Sequence, residues 1–226
     1  MDSPYKILFK YPTRSRPEKC LSILKTYIDN LIDKQNYRFL ISIDDDDSSM
    51  NNGKIINQLQ SFPNVEVIIG KSNGKVSAIN RDINTFDYDW DIIVLVSDDM
   101  VPLIKGFDMY IRKDMRKNFP DLDGVLWYND GFKMDKLITL SILGKKYYDR
   151  FGYLYNPIYD SLYCDDEFTK VSKILGKVKY SAMVIIQHQH WSWGFGKMDD
   201  LYQLNERPIG KDYTTFSERE KINFGL

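Results

Sequence analysis

Two cysteines and two histidines are all that this 226-residue chain holds of the side chains that most often bind zinc or form disulfides. Cys20 and Cys164 have neither paired spacing nor a zinc-ligand pattern, which excludes a disulfide framework and favours a reducing compartment. An excess of one charge is also missing, since 31 Lys and Arg against 32 Asp and Glu leave a formal net charge of -1. No global field therefore recruits nucleic acid or an anionic membrane. No apolar run approaches the roughly 20 residues of a spanning helix, and Met1-Asp2-Ser3-Pro4-Tyr5 is a polar opening without a signal sequence. Repeats and low-complexity linkers are absent too. These absences predict a single cytoplasmic domain over residues 1–226.

With 43% hydrophobic residues the chain can bury one sizeable core. Sixteen tyrosines and four tryptophans suit sugar-stacking surfaces and a β-rich core equally. Tyr5 to Tyr11 reads as a strand stopped by Pro12. Pro17 then opens a helix bearing Leu21, Leu24, Ile28, Leu31 and Ile32. Strands at Tyr37 to Ile43, Val65 to Ile69 and Asp91 to Val96 alternate with helices around Ile55 to Leu59 and over Gly74 to Ile83. Four strands and three helices in alternation predict right-handed crossovers and a parallel, Rossmann-like half over residues 1–100. In residues 101–226 the alternation fails. A helix over Leu103 to Phe119, strands at Gly124 to Tyr128 and Leu137 to Leu143, a helix over Asp165 to Leu175 and a strand over Lys179 to His188 are expected to elaborate the same sheet.

Chemistry concentrates where the strands end. The buried run Ile92 to Val96 empties into Ser97-Asp98-Asp99, and open α/β sheets bind ligands beyond the carboxyl ends of their strands. Adjacent carboxylates there can hold a hard divalent cation, and the cation a diphosphate. A second acidic exit, Asp44-Asp45-Asp46-Asp47, offers Asp45 to a nucleobase or ribose, with Asp46 and Asp47 explained by a solvated turn. Asp165-Asp166-Glu167 exceeds what a helix dipole needs and supplies a candidate general base. His188 and His190 share one strand face as possible metal ligands. They lead into Trp191-Ser192-Trp193-Gly194-Phe195-Gly196-Lys197, a loop able to close over a ligand. Arg14, Arg16, Lys75 and Arg81 are candidate phosphate or base neighbours.

In this order the segments resemble a GT-A fold glycosyltransferase, close to glycosyltransferase family 2 and its relatives. Tyr11-Pro12-Thr13-Arg14-Ser15-Arg16-Pro17 resembles the Pro-Thr-x-x-Arg-Pro opening, and Ile43-Asp44-Asp45 the paired aspartates after strand two. Gly74 to Arg81 resembles the stretch beside base and ribose, and Ser97-Asp98-Asp99 stands at the Asp-x-Asp motif. The resemblance implies a mixed, mostly parallel sheet flanked by helices, and an inverting, metal-dependent transfer. The donor would be a nucleotide sugar, most simply a UDP sugar, and the acceptor a glycan or other hydroxyl. Pro12, Thr13, Arg16, Asp45, Lys75, Ser97 and Asp98 would bind the nucleotide. Asp99 with His190, or less readily His188, would hold Mn2+ or Mg2+. Asp165, or Asp166 beside it, would be the catalytic base, and residues 101–226 the acceptor-binding and catalytic half. The acceptor would lie among Trp127, the Tyr147 to Tyr163 segment, Trp191 and Trp193. A strict Asp-x-Asp is missing, because neither Ser97 nor Val96 is acidic. Nothing like the Gln-x-x-Arg-Trp motif of processive synthases is present, which implies single-residue transfer. Two other classes share such a fold: a sugar nucleotidyltransferase, which would carry a Gly-rich loop where Tyr11 to Pro17 has no glycine, and a non-catalytic nucleotide- or sugar-binding protein.

Overall fold

β1 (Ile7–Thr13) is apolar on both faces, with Ile7, Phe9 and Tyr11 entering one core and Leu8 the other. Only a strand covered on both sides has that pattern. The computed structural model describes residues 4–226, so the polar opening at residues 1–3 lies outside the described residues. α1 (Pro17–Asn30) starts on the proline, whose missing N–H would have been unpaired there in any case. β2 (Tyr37–Asp44), α2 (Gly53–Gln60), β3 (Val65–Gly70), α3 (Lys75–Asn80) and β4 (Ile92–Leu95) complete the predicted alternation. Asn52 caps α2 by accepting from the Ile55 N–H at 3.1 Å. β1 pairs in parallel with β2 and β4, and β2 with β3.

The second half contains β5 (Met100–Pro102), α4 (Phe107–Asn118), β6 (Val125–Tyr128), β7 (Ile142–Gly144) and α5 (Lys145–Asp149). It continues with α6 (Cys164–Ile174), β8 (Val178–Ser181), β9 (Ile186–His188), α7 (Asp200–Glu206) and α8 (Ile209–Lys221). The seven-stranded sheet runs β3-β2-β1-β4-β7-β6-β8, and β7 is antiparallel to both its neighbours. The predicted mixed, mostly parallel α/β sheet is therefore present, and strands from both halves of the chain share it. β5 and β9 form a separate antiparallel ribbon. No helix among the described residues is long and apolar enough to cross a membrane.

Several boundaries differ from the sequence reading, each for a local reason. The expected strand over Lys179 to His188 is two strands, because β8 joins β6 in the main sheet while β9 turns away to β5. The helix expected from Leu103 begins at Phe107. Gly106 adopts φ +83° and gives its N–H to Asn30 O at 2.7 Å, tying the preceding turn to the end of α1. α3 stops at Asn80, whose side chain leaves the helix pattern to bind Tyr155 O and Leu154 N–H at 2.6 and 3.0 Å. α7 and α8 had no counterpart in the sequence reading.

A close approach of backbone to backbone fixes the edge of β7. A Cβ on Gly144 would stand 2.2 Å from Leu122 O, and the glycine N–H already bonds Gly124 O at 3.0 Å. Gly144→Ala is expected to destabilise the protein by about 2 kcal/mol or more, because a carbonyl and not a flexible side chain must move. Urea unfolding of the two proteins measures this.

Candidate active site

The carboxyl end of β4 leads through four residues, Val96 to Asp99, into β5, and this places Ser97, Asp98 and Asp99 at the mouth of the sheet. The β5–β9 register sets Met100 opposite His188, and the Gln189 N–H donates to Asp99 O at 2.6 Å. Asp99, 6% exposed, accepts at Oδ1 from the Ser97 hydroxyl and at Oδ2 from the Tyr202 hydroxyl at 2.9 Å. His188 Nε2 approaches the same Oδ2 at 3.5 Å. Burial alone would raise the Asp99 carboxyl, but the contact with His188 and the two hydroxyl donors outweigh it and hold it far below the usual carboxylate range. Asp98 behaves oppositely. Burial raises its carboxyl in spite of Arg16 Nη1 at 2.9 Å and Lys19 Nζ at 3.6 Å.

No group of three Asp, Glu, His or Cys side chains suited to one metal ion occurs among the described residues. The Asp99–His188 pair nonetheless fits two positions of a coordination sphere. Oxygen and nitrogen ligands each about 2.1 Å from a cation stand roughly 3 to 3.5 Å apart, which matches their separation. The buried Nδ1 of His188 has no hydrogen-bond partner. His190 is placed differently. The strand expected to carry both histidines ends at His188, so His190 lies in the turn beyond it; its ring is 5.6 Å from that of His188, and Nδ1 is engaged with Ser192 Oγ at 2.8 Å. Burial, then His188, push its imidazole down to about 4, with Lys75 and Arg16 adding and Asp99 opposing.

Pro12 and Thr13 end β1 and Asp44 ends β2. Asp45 is exposed at the tip, its N–H bonded to Gly70 O at 3.0 Å. Arg14 spans Asp44 and Asp46 at 3.0 and 2.5 Å, and Arg81 lies 3.8 Å from Asp44. Asp47 is not the solvated turn residue the sequence suggested. It is 5% exposed and accepts from the Ser15 N–H at 2.7 Å and the Ser49 hydroxyl at 2.6 Å, locking the β1 and β2 exits together. Lys75 is exposed at the first residue of α3. Arg16 already binds Asp98 and, through Nε and Nη2, both oxygens of Asp199 at 2.8 Å each.

The acidic start of α6 divides by role. Glu167 is buried and bound by Asn156, Tyr159 and Arg219, the last through two bonds of 2.6 and 2.9 Å. Asp165 and Asp166 remain half-buried. Burial, then Asp165, raise the Asp166 carboxyl, which Lys133 and Lys170 partly offset. Two groups expected at an acceptor surface are instead core. Trp127 is 3% exposed between Tyr180 and Lys173, and Tyr147, Tyr148, Tyr155 and Tyr159 are buried in the same cluster. Trp193, by contrast, stacks on Phe132 at 4.6 Å and meets His188 edge-on at 5.0 Å. Trp191 is half-buried beside His190.

Sequence reasoning passed over three residues here. Tyr202 and Asp199 lie among ordinary polar and aromatic neighbours and carry no signal. Lys10 does carry one, as a lysine at an interior position of an apolar strand. It is fully buried, donating to Ser42 Oγ and to Arg81 O at 2.8 Å, with Asp82 at 3.9 Å.

This architecture is the GT-A fold of glycosyltransferases. No family profile and no curated protein sequence matches the chain. Among solved structures it is similar to the mannosyltransferase PcManGT of Pyrobaculum calidifontis in complex with GDP-Man and Mn2+. The TM-score is 0.65 at 11% identity, over 85% of this chain and 59% of that one. It is also similar to S. aureus TarS 1-349 in complex with UDP, with TM-score 0.62 at 14% identity over 80% of this chain and 60% of that one. The complex of TarS 1-349 with UDP-GlcNAc gives TM-score 0.58 at 15% identity, over 88% and 64%. The chain thus spans about three-fifths of the length of each of these solved chains.

Burial lowers the Lys10 ammonium from 10.5 to about 7, although Asp82 opposes it. Between those values the folded chain binds fewer protons than the unfolded one, so stability rises with pH across that window. The slope should approach about 1.4 kcal/mol per pH unit. Urea unfolding at pH 7, 8 and 9 should show the rise in the wild type and a flatter profile in Lys10→Met.

Proposed function

We propose that this protein is a metal-dependent, inverting glycosyltransferase that moves a sugar from a nucleotide-sugar donor, most simply a UDP sugar, to the hydroxyl of a glycan or similar acceptor. The observation that carries the proposal is the approach of His188 to Asp99 at the carboxyl end of the sheet. The GT-A fold, and the GDP-Man, UDP and UDP-GlcNAc held by similar structures, support it. In this reading residues 1–100 receive the donor and residues 101–226 the acceptor, as one domain acting in the cytoplasm. The free, buried Cys20 and Cys164 are consistent with that compartment.

Pro12, Thr13, Asp45, Lys75 and Ser97 border the nucleotide, with Asp98 toward the ribose and Arg16 toward the phosphates. Asp99 and His188 are the better-placed pair for Mn2+ or Mg2+, and His190 supports them from the adjacent turn. A bound divalent cation supplies Lewis-acid stabilisation of the departing diphosphate. Asp165, by its match to the family's base position, takes the proton from the acceptor hydroxyl. Asp166 stands beside it with a raised carboxyl and therefore a more basic carboxylate. A base opposite the leaving group gives inversion. Trp193, stacked on Phe132 next to the histidines, offers the acceptor a flat apolar face.

Asp165→Asn should lower kcat at least about a hundredfold while nucleotide binding stays within a fewfold of wild type, and Asp166→Asn should do less. Full activity in Asp165→Asn assigns the proton to Asp166 or removes the base altogether. Thermal unfolding with UDP, GDP, CDP or ADP, each with Mn2+ or EDTA, tests the donor site. A matched nucleotide at 100 times its Kd contributes about 2.7 kcal/mol. That shift should need the metal and vanish in Asp99→Asn. Release of pyrophosphate in place of the nucleoside diphosphate would point to nucleotidyl transfer.

A further inference from the structure

The Asp99–His188 pair is sealed by a residue from beyond the strand that bears the histidine. Tyr202, in the first turn of α7, donates to Asp99 Oδ2, the same oxygen that His188 Nε2 approaches. Its ring lies 4.1 Å from the Arg16 guanidinium and 4.7 Å from the His190 ring. Asp199 caps α7 by accepting from the Tyr202 N–H at 3.0 Å and grips Arg16 with both oxygens. Arg16 completes the circuit by donating to Asp98. Contacts therefore run Asp98–Arg16–Asp199–Tyr202–Asp99 and close a ring over the acidic exit.

That ring competes with a loaded site for the same atoms. A cation between Asp99 Oδ2 and His188 Nε2 would have to share that oxygen with the tyrosine hydroxyl, whose donated proton already draws on the same negative charge. A diphosphate needs a guanidinium edge, and the Nε–Nη2 edge of Arg16 is filled by Asp199. The two carboxylates held by Arg16 differ in what release would cost. The Asp199 side chain is 45% exposed and returns to water easily, whereas Asp98 at 8% stays buried and keeps Lys19 nearby.

We propose that Tyr202 stands in for the cation in the donor-free protein, and that Arg16 passes from Asp199 to the donor diphosphate when the metal–nucleotide complex displaces Tyr202. α7 is then a gate on the donor site, latched by Asp199 and Tyr202. This rests on the reading of Asp99 and His188 as cation ligands.

Titration of Mn2+ alone, followed by the paramagnetic resonance of free Mn2+, tests the stand-in. Tyr202→Phe keeps the ring beneath Arg16 and removes only the donated bond, so it should bind Mn2+ about tenfold more tightly than wild type. Hydrogen exchange of residues 199–206 tests the latch. Exchange should quicken in wild type on adding Mn2+ with UDP, and should already be fast without ligand in Asp199→Asn. If the wild type binds Mn2+ and Tyr202→Phe binds it no more tightly, the tyrosine supports the cation and the gate is overturned. Slower exchange of residues 199–206 on loading overturns it as well. If neither protein takes up Mn2+, with or without UDP, the cation reading falls and the gate with it.

Discussion

Three residues of antiparallel ladder, Met100–Pro102 against Ile186–His188, hold the candidate site in register. Asp99 immediately precedes one strand and His188 ends the other, so the pairing brings carboxylate and imidazole together. A slip of one residue would turn His188 to the opposite face and dissolve the pair. Backbone bonds beyond the ladder guard against that slip. The Gln189 N–H reaches Asp99 O at one end, and the Leu103 N–H reaches Ile185 O at the other. The His188 N–H is held in addition by Asp130 O, which anchors the ribbon to the loop after β6.

Several carboxylates of this protein contrast in what surrounds them. Asp47, Asp130 and Asp212 spend their lone pairs on N–H and hydroxyl donors of the chain itself. Asp130 accepts from the Phe132 and Lys133 N–H groups and from Thr139, and Asp212 from the N–H groups of Asp160, Ser161 and Leu162. A buried charge satisfied in that way is a fixed joint between loops, since losing its donors would leave it unpaired in a medium of low dielectric. Asp45, Asp165 and Asp166 open toward solvent, and Asp99 meets only side chains that can swing away.

α8 ties together segments that lie far apart in the sequence. Its Asp212 clamps the turn at 160–162, whose Asp160 O receives the Val76 N–H in the first turn of α3. Its Arg219 clamps Glu167 in α6. The start of α3 and the acidic start of α6 are thereby referred to one helix. Each of these ties spans 50 or more residues of sequence, so none is local enough to show as a motif.

What the sequence by itself determined is the part governed by short-range pattern. Apolar runs ending in acidic exits specify buried parallel strands with carboxylates at their tips, and Pro17 and Asn52 mark helix starts through backbone chemistry that needs no partner. The order Pro12-Thr13, Asp44-Asp45, Ser97-Asp98-Asp99 and Asp165-Asp166 was enough to expect the GT-A fold. Tertiary structure alone decided which side chain meets which. It set His188 against Asp99 and His190 against Ser192, buried Trp127 with Tyr147, Tyr148, Tyr155 and Tyr159, made Asp47 and Glu167 joints, and brought Tyr202 onto the Asp99 oxygen that His188 approaches. The reason is that burial and pairing of a polar group depend on partners far away in the chain. A histidine two residues from another, or one aspartate among four, has the same local propensity until a distant strand or helix selects it.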